Sequence, residues 1–389
     1  MKILYINPHK SDFVFQSVSY DLIKRKSLRK YLYLNNFFIS KNTEFLYTSS
    51  SFKNFINKLN LNFFDKILLY FEKKKFITIN HLDAFTHNNI LKDNNYDFIF
   101  SFGFSIRDLD KEKIIYFASK AKYFIIHLSH YHLYAEKVTE WSNIPNIVFC
   151  ADVDIRDHFF YKYFIQTKPK FFVLSFIINE KFKLKNIKRE NKVISTGTFH
   201  EFEKIYTTKE IKKDIVSNIF GSLTLHNERR ILYNFRHKLN NLFTLNSSMG
   251  SLNIRSIINT KNNVSQKSYF NHDIVNLYNS YDFAFVGEDI AGLPGIGIFE
   301  AIACGCIPII SSNCYKGTPL ESSPISIRYN NINELIYIIE NINLYSYLLN
   351  NKHEIDKLRN EITTFFCSSF QLNVLEKTFS NLLKNTENY

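Results

Sequence analysis

Eight short runs of this chain are apolar on both of their alternating faces, and helical stretches separate them. They are KILYI, YDFIFSF, AKYFIIHL, NIVFCA and KFFVLSF, then NKVISTG, YDFAFVG and CIPIISS. A strand with no polar face has nothing to show to water, so it belongs in a parallel sheet covered by helices on both sides. The chain is therefore expected to be α/β and doubly wound. Its 389 residues, 45% of them hydrophobic, exceed one core, so two such units are expected. The polar stretch EKFKLKNIKREN, from Glu180 to Asn191, separates two apolar strands and marks the boundary. The first domain is placed at 1–184 and the second at 190–350. In the tail, 353–389, Ile355, Leu358, Ile362, Phe365 and Phe366 fall near helical spacing, and this helix is expected to return to the first domain.

A formal charge of +13 favours anionic partners such as nucleotides, phospholipid headgroups or nucleic acid, without choosing among them. No nucleic-acid-binding module is recognisable, so nucleic acid is not an expected partner. Phe52, Phe55, Ile56, Leu59, Phe63, Ile67 and Tyr70 line one face of a lysine-rich helical stretch. Such a helix either packs on a sheet with its lysines outward or touches the inner membrane peripherally. The start, MKILYINPHK, has too short an apolar core for a signal peptide, and no run approaches a membrane span. A cytoplasmic protein, at most peripheral to the inner face of the membrane, is expected. Five cysteines without two spaced CxxC pairs argue against a disulfide framework or a zinc site.

The richest segment runs from Gly287 to Ile310, GEDIAGLPGIGIFEAIACGCIPII. Phe283 to Val286 form a strand, and Gly292, Gly295 and Gly297 let backbone approach a ligand closely. Ile298 to Cys304 then start a helix whose first amides suit a diphosphate, with Glu300 in its first turn placed to accept ribose hydroxyls. Gly305 ends the helix before the next strand. This segment resembles the retaining glycosyltransferases of the GT-B fold, through Glu300, Ala301, Ile302, Ala303, Cys304, Gly305, Pro308, Ile309 and Ile310. The resemblance implies two Rossmann-like domains facing across a cleft, with a nucleotide-sugar as co-substrate and no cofactor or metal. It also implies that Glu300 contacts the nucleotide ribose. The family places a second glutamate, for the donor sugar, where this chain has Gly292; Glu288 is the first candidate for that role and Asp289 the second.

Further donor contacts are expected from Gly295, Ile296, Gly297 and Ile298 at the helix start, and from VISTGTFHEFEK. In the latter, Thr196, Gly197 and Thr198 offer amides and hydroxyls, and Lys204 supplies charge where family members often carry an arginine and a lysine. A plain strand-end turn is the simpler reading of the threonines. In IIHLSHYHLY, His127, His130 and His132 end an apolar strand, where active-site loops of α/β sheets lie. No acidic residue has convincing spacing to complete a metal site with them. The resemblance instead implies a catalytic-cleft histidine, His127 first and His130 second. Asp152, Asp154 and Asp157 follow another strand and resemble a carboxylate cluster, but helix capping by Asp152 or Asp154 is the simpler reading; Arg229 and Arg230 either reach the donor phosphates or face water, and water is favoured.

Together these features imply transfer of a sugar from a nucleotide-sugar to a hydroxyl of a glycan or lipid-linked acceptor. The expected setting is synthesis of a bacterial surface polysaccharide, lipopolysaccharide or capsule. A nucleotide-sugar epimerase, or a non-catalytic transferase-like partner that binds nucleotide or glycan, is the alternative.

Overall fold

The structure is a computed structural model, and it describes residues 1–7, 31, 33–41, 43–48, 77–79, 91, 95–129, 131, 134–196, 227–244, 274–287, 293–295, 297–312 and 314–384. The chain divides into two compact units, Met1–Ile177 with Ser368–Tyr389, and Ile178–Cys367.

The first unit is built on seven parallel strands: β1 (Ile3–Asn7), β2 (Glu44–Thr48), β3 (Ile77–Ile79), β4 (Tyr96–Phe102), β5 (Ala121–His127), β6 (Ile147–Ala151) and β7 (Lys170–Val173). Their order is β3-β2-β1-β4-β5-β6-β7, so the winding reverses between β1 and β4. Every residue of β1 and β6 is buried, as a strand covered on both faces requires. Helix α1 (Tyr33–Ser40) and the last helix of the chain, Ser368–Lys384, lie together in this unit. Phe379 explains the attachment. Its ring lies 4.1 Å from that of Phe98 on β4 and meets Phe37 of α1 edge-on at 5.4 Å. Buried Gln371 adds a polar tie, its Oε1 accepting the Ser175 N–H at 2.9 Å.

The second unit holds five parallel strands: β8 (Glu190–Ser195), β9 (Leu242–Thr244), β10 (Tyr281–Phe285), β11 (Ile307–Ser311) and β12 (Ile327–Tyr329), in the order β12-β11-β10-β8-β9. All eight strands anticipated from apolar runs are present. The structure adds β2, β3, β9 and β12, of which the last three have only three residues each and sit at sheet edges. Four further helices position the site: α2 (Asn227–Phe235), α3 (Ile274–Asn279), α4 (Gly297–Ala303) and α5 (Lys352–Phe365). Phe366, just after α5, lies 4.3 Å ring to ring from Phe299 of α4.

The stretch that leads into β8 is fastened to these helices. Asn279 of α3 accepts from the Lys185 N–H at 2.7 Å and donates to the Lys183 carbonyl at 3.0 Å. Arg189 then donates to the Tyr281 carbonyl at 2.6 Å and to the Cys304 carbonyl at the end of α4. Gly305, which stops α4, has φ +91°, a conformation that a side chain disfavours. Burial holds the neighbouring Cys306 thiol protonated, its pKa pushed up to about 12, and its Sγ lies 3.0 Å from the Tyr278 carbonyl.

Removing the Phe379 ring should leave a void between β4 and α1. Phe379→Ala is expected to destabilise the protein by about 3–5 kcal/mol in urea unfolding; a loss below about 1 kcal/mol would show that the last helix adds little to this core.

Candidate functional site

Strands β8 and β10 are parallel neighbours with Ser195 opposite Phe285, so the chain leaves both strands at the same edge of the sheet. After β8 comes Thr196, buried, with its Oγ1 2.7 Å from the Oη of Tyr278 on α3. After β10 come Val286 and Gly287, and the chain returns to them at Leu293–Gly295 before α4 begins. Gly295 is a close approach of backbone to backbone, because a Cβ there would fall against the Gly287 carbonyl oxygen and 2.8 Å from Val286 Cγ1. A Cβ on Gly297 would lie 3.2 Å from the Tyr278 hydroxyl. Tyr278 thus touches both the turn after β8 and the start of α4. Ile298 is fully buried, and its N–H lies 3.3 Å from the Gly295 carbonyl. Glu300, in the first turn of α4, has only 5% of its surface exposed. A carboxylate there lies close to the positive end of the helix.

Arg229 departs from the sequence expectation. It does not face water: it is 7% exposed and its Nη2 donates to the Gly287 carbonyl at 2.8 Å. The reason is spacing along α2, where Arg229 stands three residues before Leu232, which is fully buried on the same helix face. Its neighbour Glu228 accepts a 2.6 Å hydrogen bond from the Tyr329 hydroxyl at the end of β12.

In the first unit, His127 closes β5 and is fully buried. Its Nε2 lies 2.9 Å from the Leu174 carbonyl and 3.8 Å from Asp152 Oδ1. The rings of Phe102 and Tyr31 stand 4.8 and 5.2 Å away. Asp152 caps no helix, contrary to the sequence reading; both its oxygens lie 2.8 Å from the Tyr31 hydroxyl. Burial, then the Asp152 charge, hold that phenol protonated far above its ordinary range. Asp154 accepts the Arg156 N–H at 3.1 Å, capping a turn and not a helix, and is also the bidentate partner of the Arg156 guanidinium, at 3.0 and 2.8 Å.

The structure thus brings together Thr196, Gly295, Gly297, Ile298 and Glu300 in the second unit, and places His127 in the first. His130, His132, Gly197, Thr198, Lys204, Glu288, Asp289, Gly292, Ile296 and the amphipathic stretch from Phe52 to Tyr70 lie outside the described residues. Tyr278 joins the site without having been singled out for it, and Arg229 joins it although the sequence favoured water over the donor phosphates for its side chain. Arg229 could have been found from its three-residue spacing to Leu232, whereas Tyr278 sits in a run, NHDIVNLYNS, whose hydroxyl has no sequence signal of its own. Among the described residues, no helix is long and apolar enough to cross a membrane.

No known protein family and no curated protein matches the sequence. Solved structures do match over nearly the whole chain. A glycosyltransferase from Rickettsia africae is 12% identical, with 99% of each chain covered and a TM-score of 0.52. The HepE protein of Anabaena in complex with UDP is 11% identical over 98% of this chain and 100% of its own, with a TM-score of 0.51. Sucrose-phosphate synthase from Thermosynechococcus elongatus is 10% identical over 99% and 100%, also at 0.51. At such identity the likeness is one of fold, and the fold is the GT-B architecture of two Rossmann-like units.

Tyr278→Phe removes one partner of the buried Thr196 hydroxyl. It should lower stability by about 1–2 kcal/mol. Chemical denaturation of the variant checks this, and an unchanged midpoint would mean that the hydroxyl pair contributes nothing to this end of the sheet.

Proposed function

We propose that the protein is a glycosyltransferase that moves a sugar from a nucleotide-sugar to a hydroxyl of a glycan or lipid-linked acceptor. The observation that carries this reading is the meeting of Thr196, Gly295, Gly297 and buried Glu300 at one edge of β8 and β10. The carboxyl edge of parallel strands is where open α/β sheets receive ligands. The GT-B fold shared with a protein crystallised with UDP adds to it and makes uridine the first nucleotide to test.

In the proposed reaction the bond between the anomeric carbon and the diphosphate breaks, and the acceptor oxygen forms the new bond and gives up its proton to the departing diphosphate. Negative charge builds on the departing diphosphate. Amides of Gly295, Ile296 and Gly297, the turn Thr196 to Thr198, and Lys204 are assigned to stabilise it, whereas the Ile298 N–H is already turned to the Gly295 carbonyl. Glu300 is assigned to the ribose hydroxyls, and Glu288, with Asp289 second, to the sugar hydroxyls. His127, with His130 second, is assigned as the cleft histidine. Because its Nε2 is engaged with the Leu174 carbonyl, an orienting role suits His127 better than proton transfer. Retention of anomeric configuration, and a place in surface polysaccharide, lipopolysaccharide or capsule synthesis, are proposed on the ground of the sequence resemblance.

A panel of UDP-, GDP-, ADP- and CMP-sugars tests the reading by thermal stabilisation. One nucleotide class should raise the melting temperature in a dose-dependent way. No response to any of them would sink the reading, and binding without sugar transfer or donor hydrolysis would leave a non-catalytic partner. Glu300→Gln should weaken the stabilising donor by about tenfold or more, since a charge-assisted hydrogen bond is lost, with secondary structure unchanged. Calorimetry showing equal donor affinity in the two proteins would remove Glu300 from the ribose.

A further inference from the structure

We propose that the stretch from Lys181 to Lys192, which leads into β8, is a docking edge for the surface of an anionic phospholipid bilayer. The inference goes beyond the proposed transfer and does not depend on it, because this stretch meets the starts of β8 and β10 and not the ends that carry the donor residues.

KFKLKNIKRENK carries six basic residues against one acidic. Three of the six are engaged within the protein. Lys185 Nζ donates to Asn276 Oδ1 at 2.6 Å, Arg189 donates to the carbonyls of Tyr281 and Cys304, and Lys192 stands 3.2 Å from Glu190. Lys181, Lys183 and Lys188 are exposed, and among the described residues no ion pair engages them. Between them Leu184 is 48% and Ile187 38% exposed. A lone exposed aliphatic side chain is ordinary. Two of them set among three unneutralised lysines make an edge that is cationic and apolar at once.

The backbone that presents these side chains is already ordered. Asn279 holds the main chain at Lys183 and Lys185, and buried Phe182 has its ring 6.2 Å from that of Tyr278. The Ile187 N–H donates to the Lys185 carbonyl at 3.0 Å, closing a tight turn at Asn186. Leu184 lies over Gly305, where a Cβ would fall 2.7 Å from its Cδ1. Docking therefore does not have to order the chain first, which removes part of the cost of association.

Lysines attract any polyanion, so the partner is chosen by what stands between them. Single-stranded nucleic acid is held by aromatic platforms and arginine planes, but here the one arginine is used internally and the one aromatic, Phe182, is buried. Leucine and isoleucine methyls gain by entering the boundary between headgroups and acyl chains, while lysine stems lie along it and keep their ammonium groups at the phosphates. Charge and apolar tips together supply the two signals that a stable surface attachment needs.

The test uses the full-length protein in sedimentation with vesicles of phosphatidylcholine, alone or mixed with anionic phosphatidylglycerol. Wild type should bind the anionic vesicles, less so as salt rises, and should not sediment with the neutral ones. Lys181→Gln, Lys183→Gln and Lys188→Gln combined should weaken binding about hundredfold, at about fivefold per lysine. Leu184→Ser with Ile187→Ser should weaken it about tenfold and leave its salt dependence unchanged; if that pair does not fold, Ile187→Ser alone must still weaken it. The chain's single tryptophan, Trp141, is fully buried, so the indole added by Ile187→Trp reports on this edge and should be quenched by lipids brominated on their acyl chains. Absence of binding by wild type overturns the proposal, and so does binding that survives the three lysine changes, which would put the contact elsewhere on the chain. A single-stranded DNA oligonucleotide that binds as tightly as the vesicles, with vesicle binding indifferent to the serine changes, would make this a general polyanion surface and also overturn it. Thermal stabilisation by nucleotide-sugars, measured without vesicles, should be the same in wild type and the lysine variant, so that failure of the docking edge and failure of the donor reading are seen separately.

Discussion

Parallel pairing of β8 with β10 is the constraint from which the candidate site takes its geometry. Two antiparallel neighbours would send their loops to opposite edges; two parallel ones deliver them side by side, so Thr196 and Gly287 emerge together because Ser195 and Phe285 are in register. That register in turn depends on residues with no chemistry of their own. Val193, Phe283 and Phe285 are fully buried within one apolar cluster that also takes in Ile307, Ile309 and Leu335. A one-residue slip of β10 would turn both Phe283 and Phe285 to the opposite face of the sheet. The positions of Glu300 and Gly297 are thus set by hydrophobic burial before any polar contact is made.

The two units keep polar groups in different ways at the carboxyl ends of their strands. In the second unit, backbone dominates: glycines bring main chain against main chain, and Tyr278 and Arg229 stitch the elements together through hydroxyl and carbonyl groups. In the first unit, side chains are interlocked instead. Tyr31 donates to Asp152 and meets the His127 ring edge-on, His127 Nε2 stands 3.8 Å from Asp152 Oδ1, and Ser175 donates to the Asp152 carbonyl at 2.7 Å while the Tyr33 hydroxyl donates to the Ser175 carbonyl. A buried network of this kind specifies its arrangement strongly, because each member that loses its partner becomes an unsatisfied polar group in apolar surroundings. Backbone close approaches specify by shape, and side chains contribute little to them.

How much of this was legible from residues alone is a matter of the same physics. Runs such as YDFIFSF and YDFAFVG were readable because burial on both faces leaves an unbroken apolar string. Strands β3, β9 and β12 were not, since three residues at a sheet edge are too few to show a period. Glycine spacing and Glu300 were readable because the chemistry of a close-approach turn leading into a helix start admits few residue types. Arg229 was misread because charge was weighed before helical spacing to Leu232, and Asp152 because its partner, Tyr31, is 121 positions away in sequence. Capping is a local rule, and it cannot anticipate a carboxylate engaged by a distant hydroxyl.

The stitching of the segment before β8 has a mechanical meaning. Lys183 and Lys185 are tied to Asn279 of α3, and Arg189 bridges Tyr281 at the start of β10 to Cys304 at the end of α4. Hydrogen bonds at this spacing make the stretch a stiff extension of the second unit and not a slack tether. Force arriving along the main chain at Lys183 is handed to α3 and then, through the arginine fork, to the carbonyl end of the helix whose other end begins at Gly297. Tension on the backbone at Lys183 therefore reaches one end of a seven-residue rod whose other end carries the proposed donor contacts.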